Sequence, residues 1–232
     1  MIQKHIEENH FSQRMNGLRA AVLGANDGII SVVSLLIGVM SSGADQSTVM
    51  LVGVSALIAG AISMAAGEYV SVKSQSDTER ADLEIERASL AVNWDEEVLE
   101  LAGVYEARGV SKPTALAVAN ELMAHDALGA HAIDELGLTD THAPRPIQAA
   151  GFSAAAFMVG GVIPVILAWL LSPTLIWVLA LSSLVLLFAM GAIAAYAGGA
   201  RMVIAGFRVM AWGLLAMVST YLIGLAFGVS VI

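Results

Sequence analysis

The first long apolar segment of the chain, residues 20–40, reads AAVLGANDGIISVVSLLIGVM and contains one charged residue, Asp27. A hydrocarbon core of roughly 30 Å needs about 20 predominantly apolar residues in a helix. Asp27 therefore either marks the true start of this helix, as an N-cap, or lies inside the membrane. The N-cap interpretation leaves residues 28–42 as the helix, which is short for a membrane span.

The rest of the chain has the composition of an integral membrane protein. It is 57% hydrophobic and 13% charged, with a mean hydropathy of +0.76, whereas soluble domains average about 45–50% apolar residues. Four more segments of membrane-spanning length contain no Lys, Arg, Asp or Glu: residues 48–67, 149–171, 174–200 and 209–232. We therefore predict an all-α membrane protein with five transmembrane helices per subunit.

The acidic residues are concentrated between the second and third of these spans. Residues 68–148 hold 16 of the 20 Asp and Glu residues, and each would cost about 2.5–3.5 kcal/mol at the centre of a bilayer. This segment must therefore lie outside the lipid. The net charge of −9 argues against a nucleic-acid partner, which would require a basic face. Cysteine is absent, which excludes disulfides and thiolate metal sites.

The positive charges predict the orientation of the chain. The Lys and Arg residues near the span ends all fall on one side: Arg14, Arg19, Lys73, Arg80, Arg87, Arg108, Lys112, Arg145, Arg201 and Arg208. Because cytoplasmic loops carry the excess of Lys and Arg, we expect the N-terminus and the acidic segment in the cytoplasm and the C-terminus outside.

The acidic segment itself has the pattern of three helices. The second span continues without a helix breaker through residue 90, Asn93 is a candidate N-cap for a second helix over residues 94–107, and Gly109 ends it. A third helix begins at Ser111 and Pro113 and ends near Gly137. We therefore expect a cytoplasmic three-helix acidic domain inserted between spans 2 and 3.

These patterns divide the chain into four parts. Residues 1–18 form an N-terminal amphipathic segment, and residues 19–70 contain spans 1 and 2. Residues 71–146 form the cytoplasmic metal-binding helical domain, and residues 147–232 contain spans 3 to 5.

Spans 1 and 2 carry candidate ligands at helical spacing. Asp27, Ser31 and Ser34 follow one another at i, i+4, i+7, as a shared helix face requires. Gly60, Met64 and Glu68 repeat at four-residue steps on span 2. Carboxylate and thioether ligands together suit a divalent transition-metal ion better than Mg²⁺ or Ca²⁺. Alternatively, Met64 is ordinary core packing and Glu68 marks the cytoplasmic boundary of the span.

The three cytoplasmic helices also carry carboxylate stripes. The acidic and metal-ligating residues at helical spacing are Glu79, Asp82 and Glu86 on the first helix, Glu97 and Glu100 on the second, and Met123, His125, Asp126, His131, Asp134 and Glu135 on the third. Such stripes could enclose divalent ions. They could equally be solvated helix faces, and residues 95–97 could serve only to cap a helix.

Three stretches make the chain resemble the vacuolar iron transporter family, in a prokaryotic version. They are GLRAAVLGANDGIISVVSLLIGV from residue 17, GAISMAAGEYVSVKSQSDTE from residue 60 and LMAHDALGAHAIDELG from residue 122. The resemblance covers nearly the whole chain, and its specific parts are the NDG of span 1 and the SMAAGEY of span 2.

The resemblance implies a homodimer in the lipid bilayer of a prokaryotic cytoplasmic membrane. Such a protein exports Fe²⁺, and often Mn²⁺, from the cytoplasm in exchange for H⁺. It has no permanently bound cofactor, and Zn²⁺ can serve as a surrogate substrate. The resemblance places Asp27, Met64 and Glu68 on an ion pathway at the dimer interface.

The resemblance also assigns metal collection to Glu86, Glu97, Glu100 and Glu135. This chain departs from the family pattern at Ser89, where a second Glu is common, and at His131 and Ala132, where some members have paired methionines. The occupancy or the metal preference of the cytoplasmic site is therefore expected to differ.

Two other classes of protein remain as alternatives. One is a membrane-anchored metal-binding or sensing module that transports nothing. The other is an intramembrane metal-dependent lipid phosphotransferase, an enzyme class that needs several aspartates on neighbouring helices, whereas Asp27 is the only acid inside any span.

Overall fold

The fold is described by a computed structural model over residues 15–138 and 145–228. Most of the predicted segment 1–18 lies outside these residues. The described residues form a short 3₁₀-helix, Pro173–Leu175, and seven α-helices: α1 (Met15–Ser41), α2 (Gln46–Val92), α3 (Trp94–Ala107), α4 (Lys112–Asp134), α5 (Pro146–Leu170), α6 (Ile176–Ala197) and α7 (Met202–Gly228). They contain no strand, which confirms the all-α prediction.

Five of these helices, α1, α2, α5, α6 and α7, are long and apolar enough to cross a membrane, as predicted. Asp27 lies well inside α1, so the interpretation of this residue as an N-cap is wrong. The helix that contains the last uncharged segment, α7, begins at Met202, before that segment, and therefore includes Arg208.

Helix α2 is a single helix of 47 residues, as the lack of a breaker predicted. Its N-terminus is capped by Asp45, whose Oδ1 atom accepts a 2.7 Å hydrogen bond from the backbone N–H of Thr48. This bond is the main cause that lowers the pKa of Asp45 below its ordinary value. The chain divides into two compact units at the boundary between Glu68 and Tyr69 within this helix, and the second unit ends at Pro146.

The first unit contains the apolar helices and one hydrophobic core. Its fully buried side chains include Ile29, Leu36, Phe157, Leu179 and Leu187. Residues of α1 and α5 approach each other at backbone distance, because a methyl group added at Gly28 would lie 2.2 Å from the carbonyl oxygen of Phe157. Small residues permit this close approach of apolar helices.

The second unit contains the polar part of α2 together with α3 and α4. Its core is formed by Leu90, Val98, Leu101, Ala102, Ala115, Ala119, Met123 and Ala130. Gly109 and Gly137 have φ values of +94° and +68°, which favour glycine, and they follow the ends of α3 and α4. Both glycine stop signals of the sequence are thereby confirmed.

Helix α4 has a kink that the sequence analysis did not predict. Asp126 has the non-helical angles φ −157° and ψ 89°. Its Oδ1 atom accepts a 3.0 Å hydrogen bond from the backbone N–H of Gly129, as an N-cap accepts from the third residue of a helix. The last turns of α4, which carry His131, are therefore capped as a helix of their own.

Candidate functional site

The second unit brings an imidazole and two carboxylates together in its interior. His131 is 0% exposed, Glu97 is 6% exposed and Glu86 is 8% exposed. One potential ligand atom from each of these residues lies within 4.8 Å of the others. The Nδ1 atom of His131 lies 3.0 Å from Oε1 of Glu86 and 3.9 Å from Oε2 of Glu97. Three helices contribute one residue each to this cluster.

Glu135 adds a third carboxylate to the same nitrogen. Its Oε2 atom lies 2.9 Å from the Nδ1 atom of His131, one helical turn earlier. Glu100 lies near Glu135, and the negative charge of Glu135, followed by burial, raises the pKa of Glu100. Burial is the main cause that raises the pKa of Glu86, while the electrostatic interaction with His131 opposes this shift. We call Glu86, Glu97, Glu100, His131 and Glu135 the carboxylate–imidazole cluster.

The cluster contains more acceptors than its own donors can serve. The Nδ1 atom of His131 carries at most one proton, yet three carboxylate oxygens point towards it. Within the described residues, the Nε2 atom of His131 is buried without a hydrogen-bond partner, and the Oε1 atom of Glu86 has only the 3.0 Å ionic contact with Nδ1 of His131. Burying unpaired charge and polar atoms is costly. A divalent cation bound among these oxygens would relieve the charge repulsion, so the cluster has the chemistry of a metal site.

Ser89 holds Glu97 in place. Its hydroxyl group donates a hydrogen bond to the Oε1 atom of Glu97, the oxygen other than the one that lies near His131. Glu97 is in the first turn of α3 with Asp95 and Glu96, both of which are exposed. The capping interpretation therefore suits Asp95 and Glu96, whereas Glu97 turns into the core. Asn93 precedes α3 as expected, but its side chain makes no capping hydrogen bond.

A second set of contacts fixes the end of α4 to α3. The hydroxyl group of Tyr105 donates a 2.6 Å hydrogen bond to Oδ2 of Asp134, and Arg108 donates a 2.9 Å hydrogen bond to Oδ1 of the same residue. Burial, followed by the hydrogen bond to Asp134, raises the pKa of Tyr105. Asp134 is adjacent to Glu135, so these contacts hold the turn that carries two members of the cluster.

Two of the predicted metal residues lie elsewhere in the second unit. Met123 is 3% exposed and packs in the apolar core with Leu101 and Ala119. Asp82 is partly exposed, one turn before Glu86 on α2, and it is not part of the group of described ligand atoms that lie within 4.8 Å of each other.

In the first unit, Asp27 lies on an open apolar face of α1. The hydroxyl group of Ser31 donates a 2.8 Å hydrogen bond to its Oδ1 atom. Leu23 is 61% exposed, Leu35 is 42% exposed, Ser31 is exposed and Asp27 is partly exposed, so the residues that the structure describes leave the helical row 23, 27, 31, 35 open. Ser34 was expected on this face, but it is 5% exposed and buried in the core.

The candidate residues of α2 lie one turn apart along that helix. Met64 is partly buried against the core of the first unit, and Glu68 is also partly buried. Gly60 is explained by packing, since a methyl group there would lie 2.2 Å from the ring of Phe157. Gly60 thus leaves space for an α5 side chain, a contact that the sequence analysis did not identify.

The contacts of Ser89, Tyr105, Asp134 and Phe157 were missed by reasoning from the sequence. In the sequence, Ser89 stands out only as a departure from the pattern of the family that the chain resembles. The Tyr105–Asp134 contact joins residues 29 positions apart, and helical periodicity carries no information about such pairs.

Comparisons with family models and with known proteins point to the same family. A family model described as the VIT family matches residues 18–225. The chain is 46% identical to the vacuolar iron transporter of Acanthamoeba castellanii over 209 residues, which cover 89% of this chain and 77% of that protein. It is 35% identical to vacuolar iron transporter homolog 2 of Oryza sativa subsp. japonica over 90% of this chain and 89% of that protein. It is 33% identical to vacuolar iron transporter homolog 2.1 of Arabidopsis thaliana over 93% of this chain and 83% of that protein.

Proposed function

The chain belongs to the VIT family, and from this premise we propose that it exports Fe²⁺ from the cytoplasm in exchange for protons. Membership makes the chain a transporter and not an enzyme, which removes the phosphotransferase alternative. Mn²⁺ is proposed as a second substrate, because carboxylate and imidazole ligands accept both ions. The observation that carries the proposal is the position of Asp27 inside an apolar helix, on a face that one protomer leaves open.

We propose that the open face of α1 is covered by a second copy of the chain. A charged residue facing lipid at the centre of a span costs about 2.5–3.5 kcal/mol. Asp27 is partly exposed in this open row, and it would carry this cost unless another protein surface or water covered the row. A homodimer would place two such rows opposite each other and create a polar path between them. Met64 and Glu68 would lie along the same path.

We propose that the second unit lies in the cytoplasm and collects the metal ion. The carboxylate–imidazole cluster supplies the ligands, and the arginine and lysine residues of this unit support the orientation by the positive-inside rule. Because the chain has no Cys, single Cys residues introduced at the exposed positions Ser111 and Ser172 can test the topology. Only Ser172→Cys should react with an impermeant thiol reagent added outside intact cells. The reverse result would contradict the orientation.

We propose that protons drive release on the far side. A bound cation favours the ionised form of a carboxylate, and burial favours its neutral form. Metal ion and proton therefore compete for the same oxygens of Asp27 and Glu68. Protonation from outside would release the metal ion, and loss of the proton to the cytoplasm would prepare the site for the next ion.

The decisive experiment measures metal flux in proteoliposomes with and without a proton gradient. The wild-type chain should move Fe²⁺ in the direction opposite to the proton gradient, and Asp27→Asn should abolish this flux. Asp45→Asn is a matched control, because Asp45 is an exposed acid that caps α2. Metal binding without flux would support the anchored sensing module instead. Flux that is unaffected by Asp27→Asn would exclude the proposed path.

A further inference from the structure

Arg208 is a charged residue within the long apolar helix α7. The apolar side chains of Ile204 and Phe207 before it and of Trp212 after it are exposed, so apolar surface continues on both sides of the charge. Ionisable residues in membrane helices are costly and are usually paired with another polar or charged group. An anionic partner would offset the cost of burying the Arg208 guanidinium at this position.

Arg208 lines an open cavity of about 280 Å³ between α1, α6 and α7. One water molecule needs only about 10–15 Å³ of such space, so the cavity can hold a much larger group. The α6 wall of the cavity is formed by small residues that share one helix face at i, i+3, i+4 and i+7, namely Gly191, Ala194, Ala195 and Gly198. None of them has a side chain larger than a methyl group, and this wall therefore leaves room for a ligand.

The cavity lies at one end of the membrane unit. Its residues come from the first half of α1, the last turns of α6 and the first turns of α7. The uncharged segment 209–228 that follows Arg208 is about 30 Å long at 1.5 Å per residue, which matches the hydrocarbon thickness of a bilayer. Arg208 and the cavity are therefore at the level where the lipid headgroups begin. Under the proposed orientation, these headgroups belong to the cytoplasmic leaflet.

The helices that form the cavity contribute no carboxylate to it. The only acid of α1, α6 and α7 is Asp27, which does not line the cavity and accepts a hydrogen bond from Ser31. The neighbouring residue Asn26 does line the cavity, and its Oδ1 atom is buried without a hydrogen-bond partner among the described residues. No hydrogen bond of this oxygen therefore opposes a turn of the amide towards a ligand.

We propose that this cavity binds the headgroup of an anionic phospholipid, with the lipid phosphate on Arg208. A guanidinium group binds phosphate through two parallel N–H···O bonds, and basic pockets between membrane helices bind anionic headgroups. Arg201 adds a second positive charge, because it lies seven residues earlier, at the first turn of α7 and on the same helix face.

A lipid suits the cavity better than a free anion does. The exposed apolar side chains of Ile204 and Phe207 flank Arg208 and can contact the acyl chains of a lipid, whereas a free phosphate ion gains nothing from them. The cavity shares no residue with the row 23, 27, 31, 35 or with the carboxylate–imidazole cluster. Lipid binding is therefore independent of the proposed metal path.

The affinity is measured by native mass spectrometry of the full-length protein in detergent. Dioleoyl-phosphatidylglycerol should bind more tightly than dioleoyl-phosphatidylcholine, whose headgroup has no net charge. Arg208→Gln should weaken binding of phosphatidylglycerol about fivefold or more. Arg145→Gln is the matched control, because Arg145 is an exposed arginine directly before α5 that does not line the cavity. Equal losses in the two variants, or no loss in Arg208→Gln, would overturn the proposal.

Ala194→Leu tests the cavity without changing a charge. The larger side chain should occupy the space beside Arg208, so affinity for phosphatidylglycerol should fall while the melting temperature stays close to that of the wild type. Ala205→Leu repeats the test from the α7 wall of the cavity. Unchanged affinity in both folded variants would mean that the lipid binds on the outer surface of the helices, and it would overturn the site.

Inorganic phosphate distinguishes a lipid headgroup from a free anion. At matched ionic strength, inorganic phosphate should not displace phosphatidylglycerol from the wild-type protein. Displacement that Arg208→Gln abolishes would show that the cavity takes free phosphate, and the assignment to a lipid would be wrong. Metal flux in proteoliposomes is a separate measurement, so failure of transport and failure of this site are distinguishable.

Discussion

The hydroxyl group of Ser31 donates a 2.8 Å hydrogen bond to the Oδ1 atom of Asp27, one turn earlier on α1. The bond orients the carboxylate along a helix face that is otherwise lined by leucine. One oxygen of Asp27 therefore has a fixed partner, and the other remains available to a cation or a proton.

Ser31→Ala should reduce metal flux without abolishing it. The carboxylate stays, but it loses one oriented hydrogen bond, whose net value of about 0.5–1.5 kcal/mol corresponds to roughly a two- to twelvefold effect. The measurement is initial Fe²⁺ flux in proteoliposomes at matched protein density.

Ser34→Ala is the control for this prediction. Ser34 is buried on the same helix, and its hydroxyl oxygen has no hydrogen-bond partner, so its removal should leave flux near the wild-type value. Equal losses in both variants would show that α1 is sensitive to any serine substitution and that the contact with Asp27 has no special role.

The stability of the metal-free second unit should fall as the pH rises above 4.5, the ordinary pKa of the glutamates concerned. The pKa values of Glu86 and Glu100 are raised in the folded protein above their ordinary value of 4.5. The folded state therefore binds more protons than the unfolded state in this range, and its stability decreases as the pH rises through the raised values. The stabilisation that a bound metal ion provides should instead increase with pH, because metal binding requires ionised carboxylates.

Hydrogen exchange of α3 and α4 in the full-length protein measures both effects. Protection without metal should decrease with pH, and the gain in protection on adding Co²⁺ should increase. The double variant Glu86→Gln, Glu100→Gln should flatten the metal-free dependence. A metal-free protein that becomes more protected as the pH rises would contradict the assignment.

The helices were predictable from the sequence because their causes are local. Hydropathy over about 20 residues identifies a span, and Gly109 and Gly137 mark helix ends through their backbone conformation. The kink at Asp126 was not predictable in the same way. An aspartate on a helix is usually an exposed surface residue. Only the hydrogen bond that Asp126 accepts from Gly129 shows that it caps the last turns of α4.

The candidate metal site was predictable in its residue types and less so in its geometry. Spacing and the family resemblance selected Glu86, Glu97 and His131, which the structure places together. The same reasoning placed Met123 in the site, although the side chain lies in the apolar core. Ser34 is a similar case. Helical spacing gives the direction of a side chain around the helix axis, but it does not show which neighbouring helix packs on that side.

Gly160→Ala should destabilise the membrane unit. The added methyl group would lie 2.1 Å from the carbonyl oxygen of Ala25 on α1, and neither backbone can move easily. Overpacking of this kind typically costs about 1–3 kcal/mol. Thermal denaturation in detergent, followed by size-exclusion chromatography, measures the loss.

Gly151→Ala is the matched control on the same helix. Apart from its chain neighbours and the adjacent backbone of its own helix, no described atom lies within 4 Å of the position that its methyl group would take, so the variant should melt close to the wild type. Equal losses of melting temperature in both variants would contradict the prediction. The stability of α5 would then depend on its glycines for a reason other than the close contact with α1.

Tyr105→Phe should loosen the end of α4 and weaken metal binding together. The variant keeps the ring but removes the 2.6 Å hydrogen bond to Asp134, a loss of about 1 kcal/mol, and Arg108 alone then holds that carboxylate. Because His131 and Glu135 lie on the same turn as Asp134, their positions become less fixed, and affinity for Co²⁺ should fall several-fold.

The position of the change in hydrogen exchange distinguishes a local effect of Tyr105→Phe from general destabilisation of the protein. Amide hydrogens of residues 130–136 should exchange about fivefold faster in Tyr105→Phe, in line with a loss of about 1 kcal/mol, while those of the membrane helices stay unchanged. Lys73→Ala removes an exposed ion pair with Asp77, which is worth little, and should alter neither exchange nor affinity. Faster exchange at the end of α4 with unaltered Co²⁺ affinity would contradict this prediction. The Tyr105–Asp134 bond would then stabilise the helix end without positioning His131, and the ligands would be held by their own contacts.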